Sequence, residues 1–375
     1  MAGSAVNQAA LNPAALLSFT FQILPLRVIF GAGCLEKLPE EIQRLGASKA
    51  LILSTPEQRQ SGQEVAELLG TRAVGLFDRA VMHVPIEIAE AAREEALRLG
   101  ADCCVAVGGG STTGLAKAIA LVSELPILAI PTTYAGSEMT PVWGLTEGGR
   151  KTTGRDPRVL PKTVLYDPGL TVSMPPMLSA TSGINSIAHC VEALYAQDAN
   201  PIISMLAEEA IRAFAQSLPV VVAQPDNLEV RSRALYAAWL GGVALGSTGP
   251  ALHHKLCHTL GGSFNLPHAE THTVVLPHAV AYNAPADMIE MDVVVLDSRQ
   301  ELRVAVQVGF GLAPVVLRGP VICEGLHEVP VDPVAPIGRV DAIGPARLAH
   351  ATEDVINGCL RNGHAERANV GCYGL

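Results

Sequence analysis

No CxxC pair occurs in this sequence: its cysteines stand scattered at positions 34, 103, 104, 190, 257, 323, 359 and 372. That scatter argues against a disulfide framework and is expected of reduced thiols in a cytoplasmic protein. A basic stripe is missing too, as is any alternation of Lys or Arg with aromatics, and the formal charge is −10. A phosphate backbone would find nothing to bind, so nucleic acid is excluded as a partner. Residues 1–18 lack a positively charged opening, which makes a secretory leader unexpected and a loose extension the simpler reading. The uncharged stretch 234–252 raises the question of a membrane span. Gly241, Gly242, Gly246, Gly249 and Pro250 are expected to break it, and histidines follow, so a buried core helix is expected instead. Internal repeats and low-complexity runs are absent.

What is present is an apolar chain of 375 residues, 49% hydrophobic and 17% charged, with 35 glycines and 26 prolines to make turns. Its length predicts about two domains. Between residues 19 and 141, short apolar runs (RVIF, ALILS, AVGLF, CCVAVGGG, ILAIPTT) alternate with helical stretches such as IEIAEAAREEALRLG. This pattern predicts βαβ units and a parallel sheet. After Pro175 and Pro176 the character changes, and 177–260 reads as successive helices with no convincing strand. The expectation is an α/β domain over 1–178, followed by an all-α domain over 179–286. Residues 287–375 form an atypical segment, valine-rich and proline-punctuated, without lysine or tryptophan and without clean helical or strand periodicity.

Three motifs carry chemistry. Gly108, Gly109, Gly110 and Ser111 follow the strand CCVAV and open a helix. Glycines at such a junction let backbone N–H groups approach a phosphate at the positive end of the helix, which suits a dinucleotide pyrophosphate. The spacing is not GxGxxG, so a standard Rossmann fingerprint is excluded. Pro131, Thr132, Thr133, Tyr134 and Ser137 follow the strand LPILAI, and hydroxyls at that sheet edge suit a cofactor. The third motif is a set of histidines: Asn185 and His189 four apart on one predicted helix, His254 and His258 four apart on another, and His268 beyond. Residues at i and i+4 share a helix face, so imidazoles there can converge to hold a divalent metal or move protons. His253 and His272 are read as ordinary core or surface histidines.

Taken together, these residues resemble the iron-containing alcohol dehydrogenase superfamily over 19–283, the most specific stretch being HHKLCHTLGGSFNLPHAETH. The resemblance implies nicotinamide-cofactor contacts at Gly108, Gly109, Gly110, Ser111, Thr132, Thr133 and Ser137. It implies metal-ligand positions at Asn185, His189, His254 and His268, with His258 close to the nicotinamide. Two positions depart from the metal-using pattern: Asn185 and Gly114 both stand where an aspartate is usual. With PTTYAGSEMTP and KTTGRDPRVLP, these departures resemble the maleylacetate reductase branch. An amide binds metal more weakly than a carboxylate, so iron or zinc is allowed but not required.

That branch implies NADH- or NADPH-dependent reduction of a carbon–carbon double bond in a dicarboxylate, within aromatic-compound degradation, by a cytoplasmic homodimer. Lys151, Arg155, Lys255 and Tyr134 are expected at the substrate, since a desolvated carboxylate needs charged or hydrogen-bonding partners. His258, His254 and Lys255 are expected at the reacting atoms. The strand ALILS ends in Ser54-Thr55-Pro56 rather than in an acid that would repel a 2′-phosphate, so both coenzymes are expected to serve. Competing readings are a metal-dependent dehydrogenase of a small alcohol or polyol, a lyase resembling dehydroquinate synthase, and a defective product that only binds cofactor. Beyond 283 the resemblance ends, and an altered reading frame is the expectation for residues 287–375.

Overall fold

The computed structural model describes residues 19, 21, 24, 26–264 and 266–283, with strand segments at 291–298, 301–308 and 315–316. Six short strands form one parallel sheet: β1 (Arg27–Phe30), β2 (Ala50–Leu53), β3 (Ala73–Phe77), β4 (Cys103–Gly108), β5 (Ile127–Pro131) and β8 (Thr163–Tyr166). Their order is β1-β8-β5-β4-β2-β3. Helices α1 (Leu38–Arg44), α2 (Arg59–Leu69), α3 (Ile86–Leu99) and α4 (Gly110–Ser123) cover its faces. Burial on both faces explains why β2, β4 and β5 read as unbroken apolar runs rather than alternating ones. One apolar cluster includes Leu51, Leu53, Ala92 and Ile119, and another includes Leu38, Ile52, Val65 and Val105. Ile52 and Leu51 are neighbours in one strand and so pack into opposite layers.

β6 (Val142–Glu147) and β7 (Arg150–Arg155) form an antiparallel hairpin apart from the sheet, closed by Gly148 and Gly149, both at positive φ. Neither this hairpin nor β8 stood out in the sequence, because the hairpin is polar and short. The helical half comprises α5 (Pro176–Tyr195), α6 (Pro201–Ala223), α7 (Leu228–Ser247), α8 (Leu252–Phe264) and α9 (His268–Asn283). Helix starts follow capping rules: Asn200 accepts from Ile203 N ahead of Pro201, and Asn227 accepts from Val230 N.

The buried core helix expected over 234–252 is α7, which runs through Gly241, Gly242 and Gly246 and ends before Gly249 and Pro250. The first three glycines are there for close packing. A Cβ on Gly241 would lie 2.3 Å from Ser186 Oγ, one on Gly242 2.8 Å from Met139 Cγ, and one on Gly246 2.4 Å from Met139 O. Among the described residues no helix is long and apolar enough to cross a membrane. The stretch after 287, expected to lack clean periodicity, contains β9 (Met291–Ser298) paired antiparallel with β10 (Glu301–Val308), and β10 pairs with β11 (Val315–Val316). Their β-branched content favours extended backbone. The expectation for 317–375 lies outside the described residues.

Candidate active site

β4 and β5 are adjacent in the sheet, and their carboxyl ends carry the two cofactor motifs side by side. Thr132 N donates to Gly108 O at 3.1 Å, and Gln58 Nε2 donates to Thr132 Oγ1 at 2.5 Å. Gly108 has φ +147°, and a Cβ on it would fall 2.1 Å from Thr112 Oγ1; one on Gly109 would fall 2.8 Å from Thr133 Oγ1. Only glycine lets the backbone pass here, and the α4 N-terminus is thereby left open to an anion. Ser54, just past the carboxyl end of β2, is fully buried.

The histidines gather where α5, α8 and α9 meet. His189 stacks on His254 at 4.9 Å between ring centroids, and His258 on His268 at 6.0 Å. His272, expected to be incidental, lies 4.8 Å from His254 and 4.3 Å from His268 and joins the group. Glu192 completes it. This buried carboxylate accepts from His254 Nδ1, from His254 N at 3.1 Å and from Ala251 N at 3.1 Å. The pairing fixes the His254 tautomer and leaves Nε2 as a lone-pair nitrogen, buried and without a partner. Burial would push the Glu192 carboxyl up, but these hydrogen bonds hold it below its ordinary value. Glu192 lies one helical turn beyond His189, and that spacing was the overlooked signal.

Burial, aided by neighbouring positive charge, drives the imidazoles neutral: His258 falls to about 4, His268 and His253 to about 3, and His189 and His272 well below the usual range. Neutral imidazole is the metal-ligating form. Asn185 Oδ1, His189 Nδ1 and His254 Nε2 are buried without hydrogen-bond partners. This donor chemistry fits a divalent metal, with the amide as the weak member. The ligand atoms that lie within 4.8 Å of one another among the described residues belong instead to His253, Cys257 and His272. There, His253 Nε2 and His272 Nδ1 already share a 2.9 Å hydrogen bond.

The expected substrate residues divide. Lys151 stands on β7, and its ammonium bears on His83, His258 and His268 through space. Lys255 is exposed on α8 beside His254 and His258. Arg155 Nη2 donates to Gly246 O at 2.5 Å, tying the hairpin to the end of α7. Tyr134 is corrected: it is fully buried, its ring 5.8 Å from Phe214 and its hydroxyl 3.5 Å from Arg231 Nη1, so it faces the helical core rather than a ligand. Ser137 Oγ accepts from Lys117 Nζ at 3.2 Å.

The two halves share this region. A Cβ on Gly136, in the loop after β5, would lie 3.1 Å from Gly242 Cα and 3.4 Å from His189 Nδ1. A glycine-loop sheet edge facing helix-borne imidazoles defines a nicotinamide-dependent class of fold. Family models agree: that for iron-containing alcohol dehydrogenase matches residues 25–168, and that for the C-terminal part of the same family matches 179–305. The chain belongs to the iron-containing alcohol dehydrogenase family. The maleylacetate reductase of Burkholderia cepacia is 61% identical over 267 residues, 71% of this chain and 76% of that protein. That of Sphingobium indicum is 60% identical over 270 residues, 72% of this chain and 76% of that protein. The crystal structure of maleylacetate reductase from Agrobacterium tumefaciens superposes with a TM-score of 0.70 at 53% identity, covering 72% of this chain and 77% of that one.

Proposed function

We propose that this chain reduces the carbon–carbon double bond of maleylacetate to give 3-oxoadipate, with NADH or NADPH as donor, in aromatic-compound degradation. Identity of 61% and 60% to two maleylacetate reductases, over 71% and 72% of the chain, supports the reading. The observation that carries it is the set of neutral imidazoles beside cationic Lys151 and Lys255, with an amide at 185 where a strong metal ligand would be a carboxylate.

Hydride from the nicotinamide adds to the alkene carbon β to the ketone, the one farther from it. The electron pair moves onto the keto oxygen as an enolate, and a proton then reaches the carbon next to the ketone. In this proposal Gly108, Gly109, Gly110, Ser111, Thr132, Thr133 and Ser137 hold the coenzyme, with both coenzymes accepted. Neutral His258, with Lys255, donates toward the developing oxyanion in a partly water-excluded site, while His254, whose Nδ1–H goes to Glu192, presents the lone pair of Nε2 beside it. Lys151, Arg155 and Lys255 hold the carboxylates. A divalent metal, if bound, would be held by Asn185, His189, His254 and His268 and would polarise the keto oxygen. A cytoplasmic homodimer is part of the same proposal.

The test follows absorbance at the reduced-nicotinamide band with maleylacetate against simple alcohols and polyols, with and without chelator. Fast coenzyme oxidation with maleylacetate that survives chelation is expected. Activity confined to neutral alcohols and abolished by chelation would make the chain a metal-dependent alcohol dehydrogenase instead.

A further inference from the structure

Just before α3 the chain does something uncommon. His83 and Val84 both adopt positive φ, 67° and 47°, although neither is glycine. Val84 is β-branched, and a β-branched residue in this region is strained and held there only by its surroundings. Two neighbours hold it. On one side, Thr146 of β6 donates its N to Val84 O at 3.1 Å and its Oγ1 to His83 O at 2.8 Å, and Pro85 bridges to Thr146. On the other side is the second turn of the cofactor helix α4, where Val84 Cγ2 would lie 2.8 Å from a Cβ built on Gly114. Real Cβ atoms do not approach so closely, and a valine methyl, stiff at χ1, has little room to turn away.

Three residues further along α4, fully buried Lys117 donates from Nζ to Val142 O at 2.7 Å, Ser137 O at 2.7 Å and Thr140 Oγ1 at 3.0 Å. The cofactor helix therefore grips both ends of β6, the start through Lys117 and the far end through Gly114, Val84 and Thr146. Thr146 is paired across the hairpin with Lys151.

We propose that Gly114 and Val84 are a size-matched positioning pair that fixes the β6–β7 hairpin, and with it the Lys151 ammonium, over the substrate end of the cleft. The absence of a side chain at 114 thus sets recognition of a carboxylate group, a statement that rests on the maleylacetate reading. Gly114 and Val84 act through Lys151 and are positioning residues, not catalytic ones.

The experiment compares the wild type, Gly114→Ala and Gly114→Ala/Val84→Gly. Gly114→Ala should raise KM for maleylacetate by ~10-fold or more, since small misplacements of positioning groups have effects of that order. NADH affinity, read by fluorescence titration, should hold within about two-fold, while a side chain that merely blocked coenzyme would weaken it in parallel. The double variant should recover most of the KM. Amide hydrogen exchange across 142–155 needs no substrate: it should quicken in Gly114→Ala and return toward wild type in the double variant. Unchanged exchange in Gly114→Ala, or no recovery in the double variant, overturns the pairing. A wild type inert toward maleylacetate but with the expected exchange pattern would overturn the substrate reading and leave the pairing standing.

Discussion

His254 owes its character to a single neighbour. Glu192 accepts from its Nδ1, so the unpaired Nε2 must present a lone pair to whatever occupies the space beside Asn185 and His189. His258, four residues on, has no such carboxylate; although part of its ring reaches the surface, desolvation by the packed elements around it together with Lys151, His254 and Lys255 lowers it to about 4. It is therefore a neutral N–H donor at physiological pH rather than a charged acid. Replacing His258 with Ala should lower kcat by ~10²–10⁴-fold, the usual range for a positioned proton donor or acceptor. NADH binding, measured by fluorescence titration, should be retained. Unchanged turnover would remove His258 from the chemistry. Tyr134 shows the opposite case: beside three cofactor-motif residues in sequence, it turns inward because Ser182 on α5 accepts its backbone N–H at 3.1 Å and buried Arg231 reaches its hydroxyl.

At the scale of elements, α8 and α9 bring His253, His258, His268 and His272 together, and burial with mutual repulsion favours their uncharged form. The sign of the pH dependence follows. Histidine in the unfolded chain takes up a proton near its ordinary 6.5, whereas His258 in the fold resists until about 4 and His268 until about 3. Between those limits the unfolded chain binds more protons, so stability is fully present above about 6.5 and is lost as pH falls toward 3. The thermal midpoint of the metal-stripped protein should fall from pH 6.5 to pH 4 in differential scanning calorimetry. A flat profile over that range would contradict neutral imidazoles in these helices. α7 provides the surface on which this cluster rests: its glycines admit the Met139 backbone and the Gly136 turn, which brings the sheet-edge loop against His189.

For the molecule as a whole, the match to relatives is uneven. Alignment with the Burkholderia cepacia reductase takes in 76% of that protein, leaving about a quarter of it without a counterpart here. The family's C-terminal match extends to 305, beyond the 283 at which the signature motifs end, and into β9 and β10. The lysine-free, valine-rich composition after 287 keeps a shifted reading frame as the proposal for this segment. Sequencing the gene should reveal helical, family-like sequence in an adjacent frame downstream of codon 283; its absence from both other frames would dismiss the proposal.

The amino-acid sequence by itself determined the elements whose signal is local. Buried parallel strands are continuous apolar runs, the glycine-rich turn must be glycine for backbone clearance, and helices spaced by caps and prolines are visible in one dimension. It also exposed the pairs Asn185 and His189, and His254 and His258, because their i, i+4 spacing is itself geometric, with His268 noticed only as a histidine beyond them. Tertiary structure alone decided which of these side chains touch. Contacts across 48 residues, as between Tyr134 and Ser182, or across 62, as between Glu192 and His254, leave no periodic trace. For the same reason the roles of Gly114, Val84 and Lys117 stayed hidden: each depends on how the cofactor helix packs against the hairpin, and that packing is settled by excluded volume and buried hydrogen bonds rather than by neighbours along the chain.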